Sequence, residues 1–378
     1  MTRIRLSYIF CFALAIRLLA LALVPNPHLP DAHTYLMTGA AIFHGSFFSV
    51  KVMPLYPIIT YLTGGGLGTL LLDCLLSALT VILIYKISLS VFKNPLAAVL
   101  AACCAAIYPY FIFYAITGLT ETSFLFLLCL TFYLFYEKKY FWACVISVIA
   151  ILIRPVTDII TPLFILLFIV LVHRQNWRLA LKWIFYYAII YCILLAPWWA
   201  LNYHRYHQFV RLDLGFGSVA YLGNNPMNQS GGGIGGVDGD SRQFDKIKNP
   251  VARNEALITA AKDYAFSHPW HILKLDGIKF LRFWRLYPYA PQYRNSKMII
   301  VSILSYGTML ALCLVYLFRH LKQDWRKISP MLLLALSLMI GCMLTIASLR
   351  YRLPIEPFII ILGCKTLEEM LKLKYPSP

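Results

Sequence analysis

Charge is what this sequence has least of. Of 378 residues only 13% are Asp, Glu, Lys or Arg, and just 16 are acidic. A soluble globular protein carries roughly twice that charged share, so a soluble enzyme and a disordered tail are excluded. No two of the ten cysteines (Cys11, Cys74, Cys103, Cys104, Cys129, Cys144, Cys192, Cys313, Cys342 and Cys364) have CxxC spacing, and none falls in the polar segment after Tyr203. All lie in apolar stretches and read as small buried hydrophobes, which excludes a disulfide scaffold and implies no metal site. No internal repeat of the kind found in many transporters is present. The one low-complexity tract is Gly231-Gly232-Gly233-Ile234-Gly235-Gly236.

What is abundant is apolar side chain: 60% of the residues, 15% aromatic, with a mean hydropathy of +0.70. This predicts an all-α polytopic membrane protein. A spanning helix needs roughly 20 mostly apolar residues. The runs are Leu6–Val24, Leu67–Phe92, Leu96–Ile116, Ser123–Tyr136, Tyr140–Ile153, Ile159–His173, Ala180–Trp199, Met298–Phe318, Met331–Ser348 and Ile355–Leu371, or about ten spans. The first follows Arg3 and Arg5 but lacks a small-residue cleavage site, so it is expected to stay as an uncleaved span.

The net charge of +18 would point to nucleic acid in a soluble protein. Here the cations are scattered over short loops, and no nucleic-acid partner is expected. With the N-terminus in the cytoplasm, the inside loops carry Lys86 and Lys93, Lys138 and Lys139, Arg174, Arg178 and Lys182, and Arg319 to Lys327, as the positive-inside rule requires. The chain then divides into a transmembrane module (1–200) with a first outward loop (25–63), an outward segment (201–296) and C-terminal transmembrane helices (297–378).

Polar loops on one face of a bundle are where chemistry is expected. In the first, Asp31 stands between Pro30 and a helix expected to start near Ala32. It reads either as an N-cap or as a general base at the membrane surface. His33, Tyr35 and His44 are site candidates or plain interfacial polar groups. Pro54-Leu55-Tyr56-Pro57 turns the chain back into the membrane, with Tyr56 a site candidate or an anchor. Glu121 opens a span, where an acidic residue is either functional or matched to a helix N-terminus. Arg154, Arg350 and Arg352 are outward cations that oppose the topology rule. Each needs a carboxylate partner, such as Asp158 or Glu356, or an anionic ligand such as phosphate.

The outward segment holds Gly223-Asn224-Asn225-Pro226, the glycine tract and Asp238-Gly239-Asp240. This last lacks the full calcium-loop spacing and reads as a flexible turn. Asn228-Gln229-Ser230 fits the N-glycosylation pattern. Helices are expected over Val251–Ser267 and Leu273–Trp284, the second basic, amphipathic and suited to the membrane surface.

Taken in order, these residues resemble the GT-C class of polytopic glycosyltransferases that use polyprenyl-phosphate sugars. They are most similar to the dolichyl-phosphate-mannose–protein mannosyltransferase and aminoarabinose transferase group. The resemblance rests on Asp31 after the first span, with Tyr35, Ala40, Gly45 and Pro54-Leu55-Tyr56-Pro57 behind it; on Thr120-Glu121; on Asn202-Tyr203, Phe209-Val210 and Asn224-Asn225; and on Pro269, Lys279, Phe283-Trp284 and Arg350-Tyr351-Arg352-Leu353-Pro354. It implies an inverting transfer from a polyprenyl-phosphate-linked sugar donor to a hydroxyl of an envelope glycan, lipid or protein acceptor, with Asp31 as base. Arg154, Arg350 and Arg352 would serve the departing phosphate, with Glu121, Asn224 and Asn225 as further site residues and no metal or other cofactor. Ala32 departs from the group, many of whose members carry an acidic residue there. The expected setting is a bacterial inner membrane with the site facing the periplasm. Competing readings are a transporter or flippase of lipid-linked sugars (with Asp73 its main intramembrane candidate), an O-antigen ligase or polymerase, and a non-catalytic envelope scaffold.

Overall fold

The structure, a computed structural model, describes residues 6–24, 29–45, 50–234, 236–289 and 294–374. Arg3, Arg5 and Gly235 lie outside the described residues, as do 25–28 and 46–49 of the first loop. The chain is helical, with no strand among the described residues. In chain order the helices are α1 (Leu6–Leu23), α2 (Pro30–Phe43), α3 (Leu55–Leu62), α4 (Gly66–Phe92), α5 (Pro95–Ala106), α6 (Pro109–Ala115), α7 (Thr120–Tyr136), α8 (Tyr140–Ile151), α9 (Thr161–Leu166), α10 (Trp177–Tyr206), α11 (Phe216–Gly223), α12 (Pro250–Ser267), α13 (Pro269–Phe283), α14 (Ser296–Ser302), α15 (Thr308–Leu344), α16 (Leu349–Arg352) and α17 (Glu356–Lys374).

Among the described residues, four helical stretches are long and apolar enough to cross a membrane, or five if α5 and α6 make one bent span. Three shorter apolar helices accompany them: Thr120–Tyr136, Tyr140–Ile151 and Thr161–Val172. The run Leu96–Ile116 is not straight. It bends by 51° between α5 and α6, because Pro109 has no N–H to give Ala105. Arg17, fully buried in α1, supplies the missing donors: Nη1 donates to Ala106 O at 2.9 Å, Nη2 to Ala105 O at 3.4 Å and Nε to Ser77 Oγ at 2.7 Å. A cation in the first span thus ties α1 to α4 and to the break.

The runs Met298–Phe318 and Met331–Ser348 form one helical stretch through α15. Tyr306, just before α15, lies 3.5 Å from the Arg352 guanidinium, and Arg352 donates to Phe283 O at the end of α13. Met343, at the far end of α15, accepts from Lys279 Nζ in the same α13 at 2.7 Å. A straight helix between Tyr306 and Met343 would be roughly 55 Å long. The stretch therefore doubles back through its basic middle, which contains Pro330 and where His320 pairs with Glu369.

One continuous apolar core joins α1, α4, α5, α7, α8, α10, α15 and α17, with Phe132, Phe135, Phe164 and Phe168 fully or almost fully buried in it. Exposed apolar side chains line the long helices, including Leu18, Phe185, Ile193 and Phe318. Such a surface suits lipid rather than water, and the chain is a multi-pass membrane protein.

Candidate active site

Asp31 lies in the first turn of α2, not at its cap. Pro30, with its fixed φ, starts the helix, and Leu29 is the N-cap. This corrects the expected start near Ala32 and leaves the carboxylate without a capping task. It meets Arg350 Nη1 at 2.5 Å across the bundle, with about half of its side chain exposed. Close packing makes the meeting feasible. A Cβ on Gly39 would come within 2.2 Å of Pro57 O, so only glycine lets α2 approach α3.

Arg350 belongs to α16, a single turn whose N-cap Ser348 accepts from Arg350 N. Its Nε pairs with Glu121, and its Nη2 donates to Tyr35 OH at 3.3 Å. Glu121, in the first turn of α7, is almost wholly buried and pairs also with Arg154. Arg154 stands at the end of the turn after α8, its guanidinium 5.7 Å from the Tyr351 ring. Two carboxylates and two arginines from four separate parts of the chain thus form one cluster.

Beneath it, Tyr35 packs edge-on against Tyr56 with ring centroids 5.2 Å apart. Tyr56 is fully buried and donates to Asp73 Oδ2 at 2.8 Å; Ser123, two residues beyond Glu121, donates to Asp73 Oδ1 at 3.1 Å. Tyr56 is therefore no interfacial anchor but a buried link between α3 and α4.

Other expected residues lie elsewhere. Arg352 is one residue from Tyr351 yet points away: fully buried, it pairs with Glu356 at 2.9 Å, donates to Arg285 O at 2.6 Å and stacks on Tyr306. Its Nε and Nη1 are engaged in fold-making, since helical geometry turns positions two apart to different sides. Asp158 is not the partner of Arg154. It accepts from Arg211 and Tyr191, each at 2.6 Å. Asn224 and Asn225 are buried turn-makers: Asn224 donates to Ala220 O and Leu344 O and accepts from Lys279, and Asn225 donates to Tyr221 O, Leu222 O and Asp238 O. His33 is exposed and outside the ion-pair cluster, and His44 bonds Tyr61 at 3.1 Å.

The described part of the glycine tract is pinned at Gly231, Gly232 and Ile234. Asp238 is buried and accepts from Ser230 Oγ at 2.6 Å and Ile234 N at 2.8 Å, whereas half-buried Asp240 pairs with exposed Arg242. Asn228 is fully buried, donating to Leu222 O and Gly232 O, so its glycosylation pattern is a packing feature. Gly233 lies against Ile346, where a Cβ would come within 2.4 Å.

Beside the cluster a cavity of about 650 Å³ opens, walled by Tyr110, Phe113, Tyr114, Met298, Val301 and Ile346. Arg350 lines it, as do Arg282, Arg285 and Lys297. The Arg282 guanidinium lies 3.5 Å from the Tyr289 ring and that of Arg285 4.2 Å from Tyr287. Among the described residues, none of Arg282, Arg285 and Lys297 has a carboxylate within salt-bridge distance. The expected site residues do not include these cations, whose signal in the sequence is two arginines three apart with Tyr287-Pro288-Tyr289 just beyond Leu286.

The sequence matches no protein-family model and no curated protein. Solved structures share the fold, two archaeal ones among them. One is the archaeal oligosaccharyltransferase AglB from Archaeoglobus fulgidus in complex with an inhibitory peptide and a dolichol-phosphate (13% identity, TM-score 0.52, covering 100% of this chain and 52% of that one). The other is the Archaeoglobus fulgidus oligosaccharyltransferase in its apo form (14% identity, TM-score 0.56, covering 99% and 52%). The chain spans about half the length of either. At this identity the likeness is one of fold.

Proposed function

We propose that this protein is an inverting glycosyltransferase. It moves a sugar from a polyprenyl-phosphate donor to a hydroxyl of an envelope glycan, lipid or protein. One observation carries the reading: the guanidinium of Arg350 touches the half-exposed carboxylate of Asp31 and also lines the 650 Å³ apolar cavity. A base and a lipid-sized groove therefore meet at one residue. The archaeal neighbour, captured with a dolichol-phosphate, supports a lipid-linked donor.

In this mechanism the isoprenoid lies along the aromatic and aliphatic wall of the cavity. The acceptor hydroxyl attacks the anomeric carbon from the Asp31 side, forming the new glycosidic C–O bond with inversion. The bond from that carbon to the phosphate oxygen breaks, and its electron pair leaves with the polyprenyl phosphate. Asp31 takes the hydroxyl proton. Arg350 faces the departing phosphate, with Arg282 and Arg285 as further preorganised cations. Arg154 acts through Glu121, which holds both arginines in register. Around ten spans, with the N-terminus in the cytoplasm of a bacterial cell and the site at the outer face of the inner membrane, complete the reading. The basic short loops at the opposite end support that orientation.

The test is sugar transfer in membranes from radiolabelled polyprenyl-phosphate sugars, comparing wild type with Asp31→Asn and Asp31→Ala at matched expression. Loss of transfer with donor binding intact is expected. Full activity in both variants removes Asp31 from the chemistry, and sugar-lipid translocation without transfer moves the protein to the flippase class.

A further inference from the structure

α13 is amphipathic the wrong way round for a helix surrounded by water. Leu275, Lys279 and Phe283, four apart, are buried against the bundle. The opposite stripe is Trp270, Leu273, Gly277 and Leu281, with Phe280 beside it. Trp270 is 82% exposed, Leu273 62% and Leu281 71%. Spacings of three and four put these on one side of the helix. Phe266, at the end of α12, is 85% exposed and extends the patch. The corner between the two helices is fixed: Tyr264 stacks on His268 with centroids 4.5 Å apart and bonds His271 at 2.6 Å.

The patch adjoins the lipid-facing surface of the bundle. Lys279 Nζ holds α13 to Met343 O, and on that part of α15 Leu336, Ile340 and Leu344, again four apart, are exposed. Exposed Lys262 and Lys274 flank the apolar stripe, the arrangement of cation and aromatic that suits an anionic membrane surface.

We infer that α13 is an interfacial helix, seated through Trp270, Leu273, Phe280 and Leu281 in the headgroup region of the leaflet on the Asp31 side, with anionic phospholipid its partner. The inference does not depend on the transferase reading. Its consequence is positional. Arg282 lies in the last turn of α13 and Arg285 two residues beyond it, so the seated helix brings the cation-lined side of the cavity to phosphate depth, where a lipid-linked anion enters sideways from the leaflet.

The full-length protein in nanodiscs of phosphatidylglycerol and phosphatidylcholine tests this, with brominated lipids as quenchers. The wild-type minus Trp270→Phe fluorescence difference isolates one indole of the eight. A blue-shifted difference spectrum, quenched more by bromine high on the acyl chain than by bromine near its end, is expected. A benzophenone amino acid at position 273 is expected to crosslink to lipid. A red-shifted, unquenched difference overturns the inference, as does crosslinking at 273 to a second copy or another protein. Trp270→Phe keeps an aromatic on an exposed site, so misfolding does not confound the measurement; an unchanged unfolding midpoint verifies this.

Discussion

Arg350 bridges Asp31 and Glu121: a single guanidinium holds one half-exposed carboxylate and one buried one, from residues 319 and 229 positions away in the chain. The buried partner fixes the arginine, and the arginine fixes the exposed carboxylate. Glu121→Gln keeps the size but removes the charge that orients both arginines. It is expected to lower kcat for sugar transfer by about 100-fold, the usual scale for losing one preorganised electrostatic contact, with a smaller change in KM. Arg350→Lys is expected to fail similarly, because a single ammonium cannot span two carboxylates. Wild-type kcat in Glu121→Gln would refute the orienting role.

Tyr56→Phe removes one of the two donors to the buried carboxylate of Asp73. Leaving a buried acceptor short of a partner costs about 1–3 kcal/mol. A lower unfolding midpoint in detergent is expected, and Asp73→Asn in the same background should recover part of it, since the amide has one acceptor oxygen, which Ser123 still serves. Additive losses in the double variant count against a direct Tyr56–Asp73 coupling.

For Arg352 and Glu356 the structure gives a fold-making role. Glu356→Ala strands a guanidinium that is fully buried beside Tyr306, at a cost of about 3–5 kcal/mol. Stability is expected to fall sharply while activity per folded molecule is kept. Replacing both by methionine is expected to be milder than either single change. A selective loss of donor binding in a well-folded Arg352 variant would instead restore it to the phosphate site.

Burial pushes the Asp213 carboxyl up from 3.8 to about 6, against the pull of its bond from Gly215 N and of nearby Arg154. The folded protein then holds this proton more tightly than the unfolded chain does. Stability contributed here is present below about pH 4 and is lost as pH rises to about 6. Thermal midpoints across this window are expected to fall more steeply for wild type than for Asp213→Asn, which has no charge to bury. Equal slopes would show that Asp213 titrates normally.

Much of the fold was legible because a bilayer makes simple demands. Apolar runs act locally; the helix starts at Pro30, Pro95 and Pro109 and the N-caps Asn94, Asn176 and Asn249 act locally too but come from the structure. The helix expected at Val251–Ser267 is α12 almost residue for residue. The 51° bend inside the run Leu96–Ile116 was not legible, because composition does not register a missing N–H. The doubling back of α15 was hidden for another reason: helical hydrogen bonding continues through its basic middle, and only contacts with Arg352 and Lys279 reveal the reversal.

The sequence by itself determined a helical membrane protein, its apolar stretches, and a short set of charged residues out of place for their surroundings. Those properties depend on each residue's own transfer energy and on neighbours within a few positions. The tertiary structure alone decided which charges share a site. Arg350 and Arg352 are indistinguishable as text, yet a helical turn sends one to Asp31 and Glu121 and the other to Glu356. Asp73 became a ligand for Tyr56 and Ser123, and Arg282 and Arg285 came to line the cavity, because partners far apart in the chain are chosen by how helices pack and not by their spacing.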